Sequence, residues 1–230
     1  MFAVNKYQMD ITTKLINIKE SLSPFRFTLV AVSKTKPVAL LHEAYNAGIR
    51  IFGENKVQEM VEKEAVLPKD IQWHFIGHLQ TNKVRLIAPF VNLIHAVDSL
   101  KLLKEIDRQG KKNNRIIRCL LQIHIAEETS KFGFSYGEVT DLLSNEELQM
   151  LSHVSIVGLM GMATNTPNED IVRKEFSELN SYFDLEKSKT QYQNVELKEL
   201  SMGMSSDHHI ALEEGSTMIR IGSNIFGTRN

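Results

Sequence analysis

Hydrophobic positions along the chain follow two periods. Ile11, Leu15, Ile18 and Leu22 recur at helical spacing, and Ser23-Pro24 then interrupts the pattern. Beyond it, short apolar runs rich in β-branched residues alternate with polar segments. The eight runs cover residues 28–32, 50–52, 73–76, 92–97, 116–125, 154–160, 195–201 and 218–221. We therefore predict an N-terminal helix within residues 1–23, followed by eight strands.

The segments between these runs have the period of amphipathic helices. Apolar residues return every three or four positions in residues 38–47, 100–109, 138–143 and 170–183. Alternating strands and helices require right-handed crossovers and a parallel sheet, which is either closed into a barrel or open and doubly wound. Eight repeats favour the closed (β/α)8 TIM barrel. Since no linker interrupts the pattern, we expect residues 1–230 to form one domain, with the first helix packed on the barrel.

The composition is that of an ordinary globular protein. The 230 residues include 28 Asp and Glu against 27 Lys and Arg, a net charge of −1, and 42% are hydrophobic. These values exclude intrinsic disorder. The balanced charge provides no long-range field that would attract nucleic acid or an anionic membrane, so neither is an expected partner.

Cysteine usage and the apolar segments indicate the cellular compartment. The single Cys119 excludes an internal disulfide and a Cys-rich metal site, so we expect a reducing compartment, the cytoplasm. Residues 1–10 have no apolar core of a signal peptide, and polar residues interrupt the most apolar stretch, residues 116–126. The sequence predicts neither secretion nor a membrane span.

The predicted strands end in polar, glycine-rich segments, where barrels of this kind carry their chemistry. Lys34 follows the first strand and shares one face with Val30 and Val32, so its side chain should point into the barrel. Desolvation there favours the neutral amine, which is the form that condenses with a carbonyl group to a Schiff base. The alternative is that Lys34 begins a solvated loop.

The last strand places a second charged side chain inside the barrel. Alternation along Met218-Ile219-Arg220-Ile221 turns the isoleucines toward the surrounding helices and Arg220 toward the interior. A guanidinium there requires an acceptor, which would be either a ligand or a structural carboxylate such as that of Glu54.

Two glycine- and serine-rich turns follow the last two strands, at residues 201–205 and 222–224. Such turns expose backbone N–H groups and hydroxyls, which is how many barrels hold a phosphate. Each turn alone is a weak signal, since Gly and Ser also form ordinary turns.

No metal site is expected, because His74 and His78 flank a change from strand to loop and no cysteine cluster accompanies them.

Specific motifs run in order from Lys34 almost to the C-terminus. They are Ala31-Val32-Ser33-Lys34, Phe52-Gly53-Glu54-Asn55, residues 74–83, Ser130-Lys131-Phe132-Gly133, Gly158-Leu159-Met160-Gly161-Met162, residues 201–205 and residues 220–227. Together they closely resemble the pyridoxal phosphate homeostasis proteins. The resemblance implies a fold like the barrel domain of alanine racemase. Its departures are small: Ala96, where a serine is common, and the variable residues 124–129.

The resemblance also implies a cofactor and its contacts. Pyridoxal 5′-phosphate would be bound as a Schiff base to Lys34, with its pyridine nitrogen facing Arg220. Asn55 and His78 would lie near the cofactor, and the last two loops would hold the phosphate. The residues that these loops offer are Ser201, Gly203, Gly222 and Ser223.

An arginine beside the pyridine nitrogen disfavours protonation of that nitrogen, because a second positive charge is unfavourable there. The unprotonated ring is a weaker electron sink than one that faces an aspartate. The predicted site is therefore suited to holding the cofactor rather than to stabilising a carbanion.

Two functions of different classes remain. One is a non-enzymatic protein of vitamin B6 homeostasis that stores pyridoxal phosphate or delivers it to apo-enzymes, as a monomer rather than an obligate oligomer. The other is an amino-acid racemase or a related enzyme. We favour the first, because alanine racemases carry a second domain and a partner-subunit tyrosine, whereas this chain ends at Asn230 and its five tyrosines lie outside the strand-end motifs. Lys131 is the best second nitrogen, either as a transient acceptor of the cofactor or as a charge that orders its loop.

Overall fold

Eight parallel strands close into a barrel in chain order, and the last strand pairs with the first. A computed structural model describes residues 10–127, 132–189 and 192–227. The strands are β1 Thr28–Val32, β2 Ile51–Glu54, β3 Gln72–Phe75, β4 Leu93–Val97, β5 Ile117–Ile123, β6 Val154–Gly161, β7 Val195–Ser201 and β8 Met218–Ile221. Each lies close to its predicted position. The (β/α)8 TIM barrel is therefore confirmed, and the open sheet is wrong.

Helices cover the outside of the barrel. In the described part of the chain they are α1 Ile11–Ser21, α2 Val38–Asn46, α3 Val57–Val66, α4 Val84–Ile87, α5 Leu100–Lys112, α6 Tyr136–Leu143, α7 Glu146–Gln149, α8 Glu169–Lys189, α9 His208–Glu213 and α10 Ser223–Phe226. Side-chain caps fix the first residues of several helices. Ser99 Oγ accepts from the Leu102 N–H before α5, and Ser135 forms a capping box with Glu138 at the start of α6.

The predicted N-terminal helix begins at Ile11, and residues 1–9 lie outside the described residues. The Asp10 carboxylate caps it by accepting from the Thr13 N–H at 2.7 Å. Ile11 and Leu15 are buried in the same apolar core as the barrel strands, and the Ile11 N–H donates to Glu43 on α2 at 3.1 Å. The helix therefore packs on the barrel through its apolar face.

Alternation along the strands separates two apolar layers. Phe52, Trp73 and Phe75 are fully buried between the strands and the helices. A smaller cluster that includes Val30 and Met218 fills the barrel interior. Each large apolar side chain buried in this way contributes about 1.5–3 kcal/mol to folding. The rigid barrel that results fixes where the carboxyl end of each strand emerges.

Candidate functional site

A cavity of about 630 Å³ opens at the carboxyl ends of the strands. Residues at or after the ends of β1, β2, β3, β5, β6, β7 and β8 form its wall. This is the end of a TIM barrel at which active sites and ligand sites are built. The volume lies within the range of small-molecule sites, roughly 300–1,000 Å³.

Six of the eight candidate site residues line this cavity. They are Lys34, Asn55, His78, Arg220, Gly222 and Ser223. Barrel closure brings them together, since β8 lies beside β1 with Arg220 opposite Val30, and Val30 precedes Lys34 on the same strand face. The sequence alone could order these residues along the chain but could not give their separation in space.

Lys34 is half-buried in a four-residue turn directly after β1. The Lys36 N–H closes the turn by donating to the Ser33 carbonyl at 3.0 Å. Lys34 and Lys36 both line the cavity, and so does Val32, the last residue of β1. Lys34 thus belongs to the cavity wall and not to a fully solvated loop.

Arg220 is buried at the floor of the cavity. Its Nη1 donates to the carbonyl and to Oγ of Ser201, at 2.8 and 2.6 Å, and its Nη2 donates to the Gly161 carbonyl at 3.0 Å. Burial lowers the pKa of Arg220 to about 10, which leaves it protonated at neutral pH. The alternative of an ion pair with Glu54 is wrong, because the Glu54 carboxylate contacts Ser33 and Lys63 instead.

The other two candidates, Ser201 and Gly203, lie behind the described cavity wall. Ser201 is the last residue of β7 and fully buried, and its hydroxyl contacts Arg220 and His95. Gly203 has a φ of +92°, a left-handed conformation that favours glycine, and its carbonyl accepts from the Arg220 N–H at 3.0 Å. Both residues contact Arg220, and their contact with a phosphate stays a prediction.

Two buried histidines extend the contacts of Arg220 into the barrel, a feature that the sequence did not indicate. His95 Nδ1 lies 3.1 Å from Ser201 Oγ, and His95 Nε2 lies 3.0 Å from His74 Nδ1. Burial lowers the pKa of His74 to about 3, and the positive charge of Arg118 adds to this effect. Burial also lowers the pKa of His95 well below its usual value, with further contributions from His74 and Arg220. Both rings are therefore neutral at physiological pH.

Hydroxyl and backbone groups of the last two loops line one side of the cavity. Ser205, Ser206 and Ser223 all contribute to the wall. Ser205 Oγ accepts from the Gly222 N–H at 3.4 Å, which links the loop after β7 to the loop after β8. Ser205 belongs to the motif at residues 201–205 and Ser206 follows it, so the loop was recognised from the sequence but its lining residues were not.

The opposite wall is apolar and aromatic. His78 stacks on the exposed ring of Phe132 with 4.2 Å between centroids, and His78 Nδ1 lies 3.0 Å from the Asp98 carboxylate. Ile76 and Met162 also line the cavity, and Met204 lines it from the loop after β7, next to Ser205. A flat ring could pack between these side chains and the hydroxyl-bearing loops.

Asn55 contributes a polar atom without a partner. Its Oδ1 is buried and, within the described residues, accepts no hydrogen bond. Gly77 also lines the cavity, and a Cβ at that position would overlap the Asn55 carbonyl oxygen, so the backbone packs against Asn55 only because residue 77 is glycine. An unsatisfied buried oxygen calls for an explanation, and Asn55 itself lines the cavity.

Four further features concern metal binding, a membrane span, the cysteine and the second lysine. Among the residues described, no group of three or more His, Cys, Asp or Glu could hold a metal ion. No helix in this part of the chain is long and apolar enough to span a membrane. Cys119 is buried, and its burial raises the pKa of the thiol, so it is unreactive. Lys131, the predicted second nitrogen, lies outside the described residues.

Comparisons with known proteins agree with this architecture. The family model of the alanine racemase N-terminal domain matches residues 11–230. A relative from Aquifex aeolicus named pyridoxal phosphate homeostasis protein is 40% identical over 202 residues, 87% of this chain and 86% of the relative. The structure of PipY from Synechococcus elongatus with PLP bound has a TM-score of 0.85 and 35% identity, and the match covers 95% of this chain and 100% of that one.

A more distant likeness concerns the fold alone. Alanine racemase from Bartonella henselae, with covalently bound pyridoxal phosphate, has a TM-score of 0.70 at 16% identity, over 95% of this chain and 58% of that one. The closed barrel, the motifs along the chain and the identity to relatives of similar length all agree. The chain therefore belongs to the pyridoxal phosphate homeostasis protein family, within the larger alanine racemase N-terminal domain family.

Proposed function

We propose that this protein binds pyridoxal 5′-phosphate as a Schiff base on Lys34 and acts in vitamin B6 homeostasis as a carrier, not as an enzyme. The observation that carries the proposal is the presence of Lys34 and Arg220, from the adjacent strands β1 and β8, in the wall of one cavity. The cofactor would supply an aldehyde and an electron-withdrawing ring. Lys34 supplies the amine that the aldehyde requires.

The rest of the cavity fits the remaining groups of the cofactor. The hydroxyls of Ser205, Ser206 and Ser223 would hold the phosphate together with the backbone at Gly222, which is bonded to Ser205. His78 would pack on the ring face. The unpartnered Oδ1 of Asn55 would accept a hydrogen bond from the ligand. PLP is the ligand in the PipY structure, a relative at 35% identity, which supports the same cofactor here.

The surroundings of Arg220 support a carrier over an enzyme. Its hydrogen bonds go to the neutral oxygens of Ser201 and Gly161, and the Asp207 carboxylate acts on it only through space, so Arg220 keeps its positive charge beside the cavity. A positive charge beside the pyridine nitrogen disfavours protonation of that nitrogen and so weakens the ring as an electron sink. A weaker sink disfavours racemisation and transamination, because both pass through a carbanion next to the imine. Holding the cofactor requires only the amine, the phosphate contacts and the ring contacts.

A transfer experiment tests the carrier function. Protein loaded with cofactor is mixed with an apo-enzyme that depends on pyridoxal phosphate, in the presence of an amine scavenger that removes free cofactor. We expect the apo-enzyme to be activated despite the scavenger. If the scavenger abolished the activation, the protein would only release the cofactor into solution and would not transfer it directly.

Incubation with D- and L-amino acids addresses the enzymatic alternative. We expect no change of chirality and no transamination above the rate with free cofactor. Sustained turnover at about 1 s⁻¹ or faster, within the usual range of enzymes, would contradict the carrier assignment.

A further inference from the structure

The turn that carries Lys34 has an unfavourable backbone conformation. Thr35, the third residue of the turn Ser33 to Lys36, has a φ of 64°. This turn position with positive φ usually holds Gly or Asn, and a β-branched residue is costly there. Outside contacts must therefore hold Thr35 in place.

Two side chains of α3 supply those contacts. The Thr35 N–H donates to Glu59 Oε1 at 2.6 Å, and Lys63 Nζ donates to the Ser33 carbonyl at 2.8 Å. The two side chains also bond to each other at 2.7 Å. Together they hold the backbone on both sides of Lys34.

A buried carboxylate anchors this arrangement. Glu54, at the end of β2, is fully buried, and its Oε1 accepts from Lys63 Nζ at 2.7 Å and from Ser33 Oγ at 2.6 Å. An ammonium group has three N–H donors, and Ser33, Glu54 and Glu59 satisfy all three of Lys63. The Lys63 side chain is only 6% exposed, so it has little freedom to move away.

Stability alone does not explain this buried network of charges. Burying two opposite charges costs several kcal/mol per ion in desolvation, and a buried pair often adds no net stability over apolar residues. In addition, Glu54 Oε2 has no hydrogen-bond partner among the described residues. What the network does provide is a fixed geometry for one turn, the turn that carries the cavity lysine.

We propose that Glu54, Lys63 and Glu59 are positioning residues that hold the turn around Thr35, so that Lys34 faces the cavity before any ligand enters. None of the three is among the residues of the cavity wall. The network therefore acts on Lys34 through the backbone of Ser33 and Thr35. The inference rests on the proposed function, since it assigns the network to attachment of the cofactor.

Two variants test the network, and two ligands separate positioning from general damage. Lys63→Met removes the three hydrogen bonds of Lys63, to Ser33, Glu54 and Glu59. Glu59→Ala removes the Thr35 contact while leaving the buried Lys63–Glu54 pair. Pyridoxal 5′-phosphate reports attachment to Lys34. Pyridoxine 5′-phosphate, which has the ring and the phosphate but no aldehyde, reports the rest of the cavity.

For Lys63→Met we expect the dissociation constant for pyridoxal 5′-phosphate to rise by about 10- to 100-fold, with loss of visible Schiff-base absorbance, because a small misplacement of a reacting group has effects of this size. Affinity for pyridoxine 5′-phosphate should not change. Glu59→Ala should show the same selectivity with a smaller effect. Lys69→Met removes an exposed ion pair with Glu64 just beyond α3 and should leave both affinities unchanged.

A double variant supplies a rescue. Thr35→Gly removes the cost of the left-handed conformation, so in the Lys63→Met background it should restore affinity for pyridoxal 5′-phosphate by about fivefold. Equal weakening of both ligands, or unchanged affinity for pyridoxal 5′-phosphate in folded Lys63→Met and Glu59→Ala proteins, would overturn the inference. If Lys63→Met does not fold, Glu59→Ala decides.

Hydrogen exchange of the Thr35 amide provides a readout without any ligand. In the ligand-free protein this amide should be protected, and Glu59→Ala should accelerate its exchange by about tenfold or more. Unprotected exchange in the wild type would overturn the inference. A wild-type protein that forms no Schiff base at Lys34 would instead contradict the proposed function, so the two failures are distinguishable.

Discussion

Arg220 on β8 donates a 2.6 Å hydrogen bond from Nη1 to the hydroxyl of Ser201 at the end of β7. The same hydroxyl lies 3.1 Å from His95 Nδ1, so one buried oxygen connects the cavity floor to the histidines of the barrel interior. The orientation of Arg220 thus depends on a residue that lies behind the cavity wall.

Ser201→Ala should destabilise the ligand-free protein by about 1–3 kcal/mol, because it leaves one N–H of Arg220 and one ring nitrogen of His95 buried without a partner. Urea unfolding measures this loss. Ser188→Ala provides a control, since Ser188 on α8 is exposed and its hydroxyl bonds only a helix carbonyl. It should change stability by no more than about 0.5 kcal/mol. Equal stability of Ser201→Ala and wild type would contradict the role assigned to this hydroxyl.

The two neutral histidines make stability depend on pH. In the folded protein the pKa of His74 is lowered to about 3 and that of His95 is lowered well below its usual value, whereas both return to about 6.5 on unfolding. Their stabilising contribution is therefore fully present above about pH 6.5, and it is lost as the pH falls, because only the unfolded chain takes up the protons. The loss approaches about 1.4 kcal/mol per pH unit for each histidine.

Unfolding free energies at about pH 7 and about pH 5 measure this effect. The lowered pKa of His74 gives an expected loss of about 2 kcal/mol, and His95 adds a loss in the same direction. His95→Gln should remove the part of that difference that comes from His95. His42→Gln, at an exposed position of α2, controls for the loss of a histidine and should leave the difference in place. Burial raises the pKa of Glu54, so this carboxyl group makes the folded protein more stable as the pH falls. Because Glu54 is present in both variants, its effect cancels when they are compared. An unchanged pH dependence in His95→Gln would show that His95 is not held neutral.

Gly203 is expected to tolerate no side chain. Its φ is +92°, and a Cβ would lie 2.5 Å from the Ala211 Cβ. Gly203→Ala should cost about 2–4 kcal/mol from the backbone conformation and the crowding together. Gly137→Ala, in α6 with open space around a Cβ, should be neutral or stabilising by up to about 1 kcal/mol. Similar thermal unfolding of the two variants would be inconsistent with the close packing of the loop after β7.

Much of the fold was predictable because strand and helix periods are local properties of the sequence. The alternation in β8 correctly placed Ile219 and Ile221 in the layer under the helices and Arg220 inside the barrel. The same local reasoning identified the polar strand ends, because carboxyl ends of parallel strands meet at one face of a closed barrel.

Contacts between distant residues were not predictable in this way. Ser201 was predicted as the last residue of a strand and as a phosphate contact of the turn that follows, but closure of the barrel turns its hydroxyl under Arg220. The contact between His95 and Ser201 joins residues 106 positions apart in the sequence. In the sequence Lys63 was one of many lysines of the chain, and only its burial beside Glu54 distinguishes it.

Attachment of the cofactor to Lys34 is the central claim, and borohydride trapping followed by peptide mass spectrometry tests it most directly. Wild-type protein loaded with pyridoxal 5′-phosphate should yield the reduced adduct on the peptide that contains Lys34. Lys34→Ala should lose both the adduct and the visible absorbance, while Lys36→Ala should keep both. A wild-type adduct on another lysine, or an undiminished adduct and full absorbance in Lys34→Ala, would contradict the account.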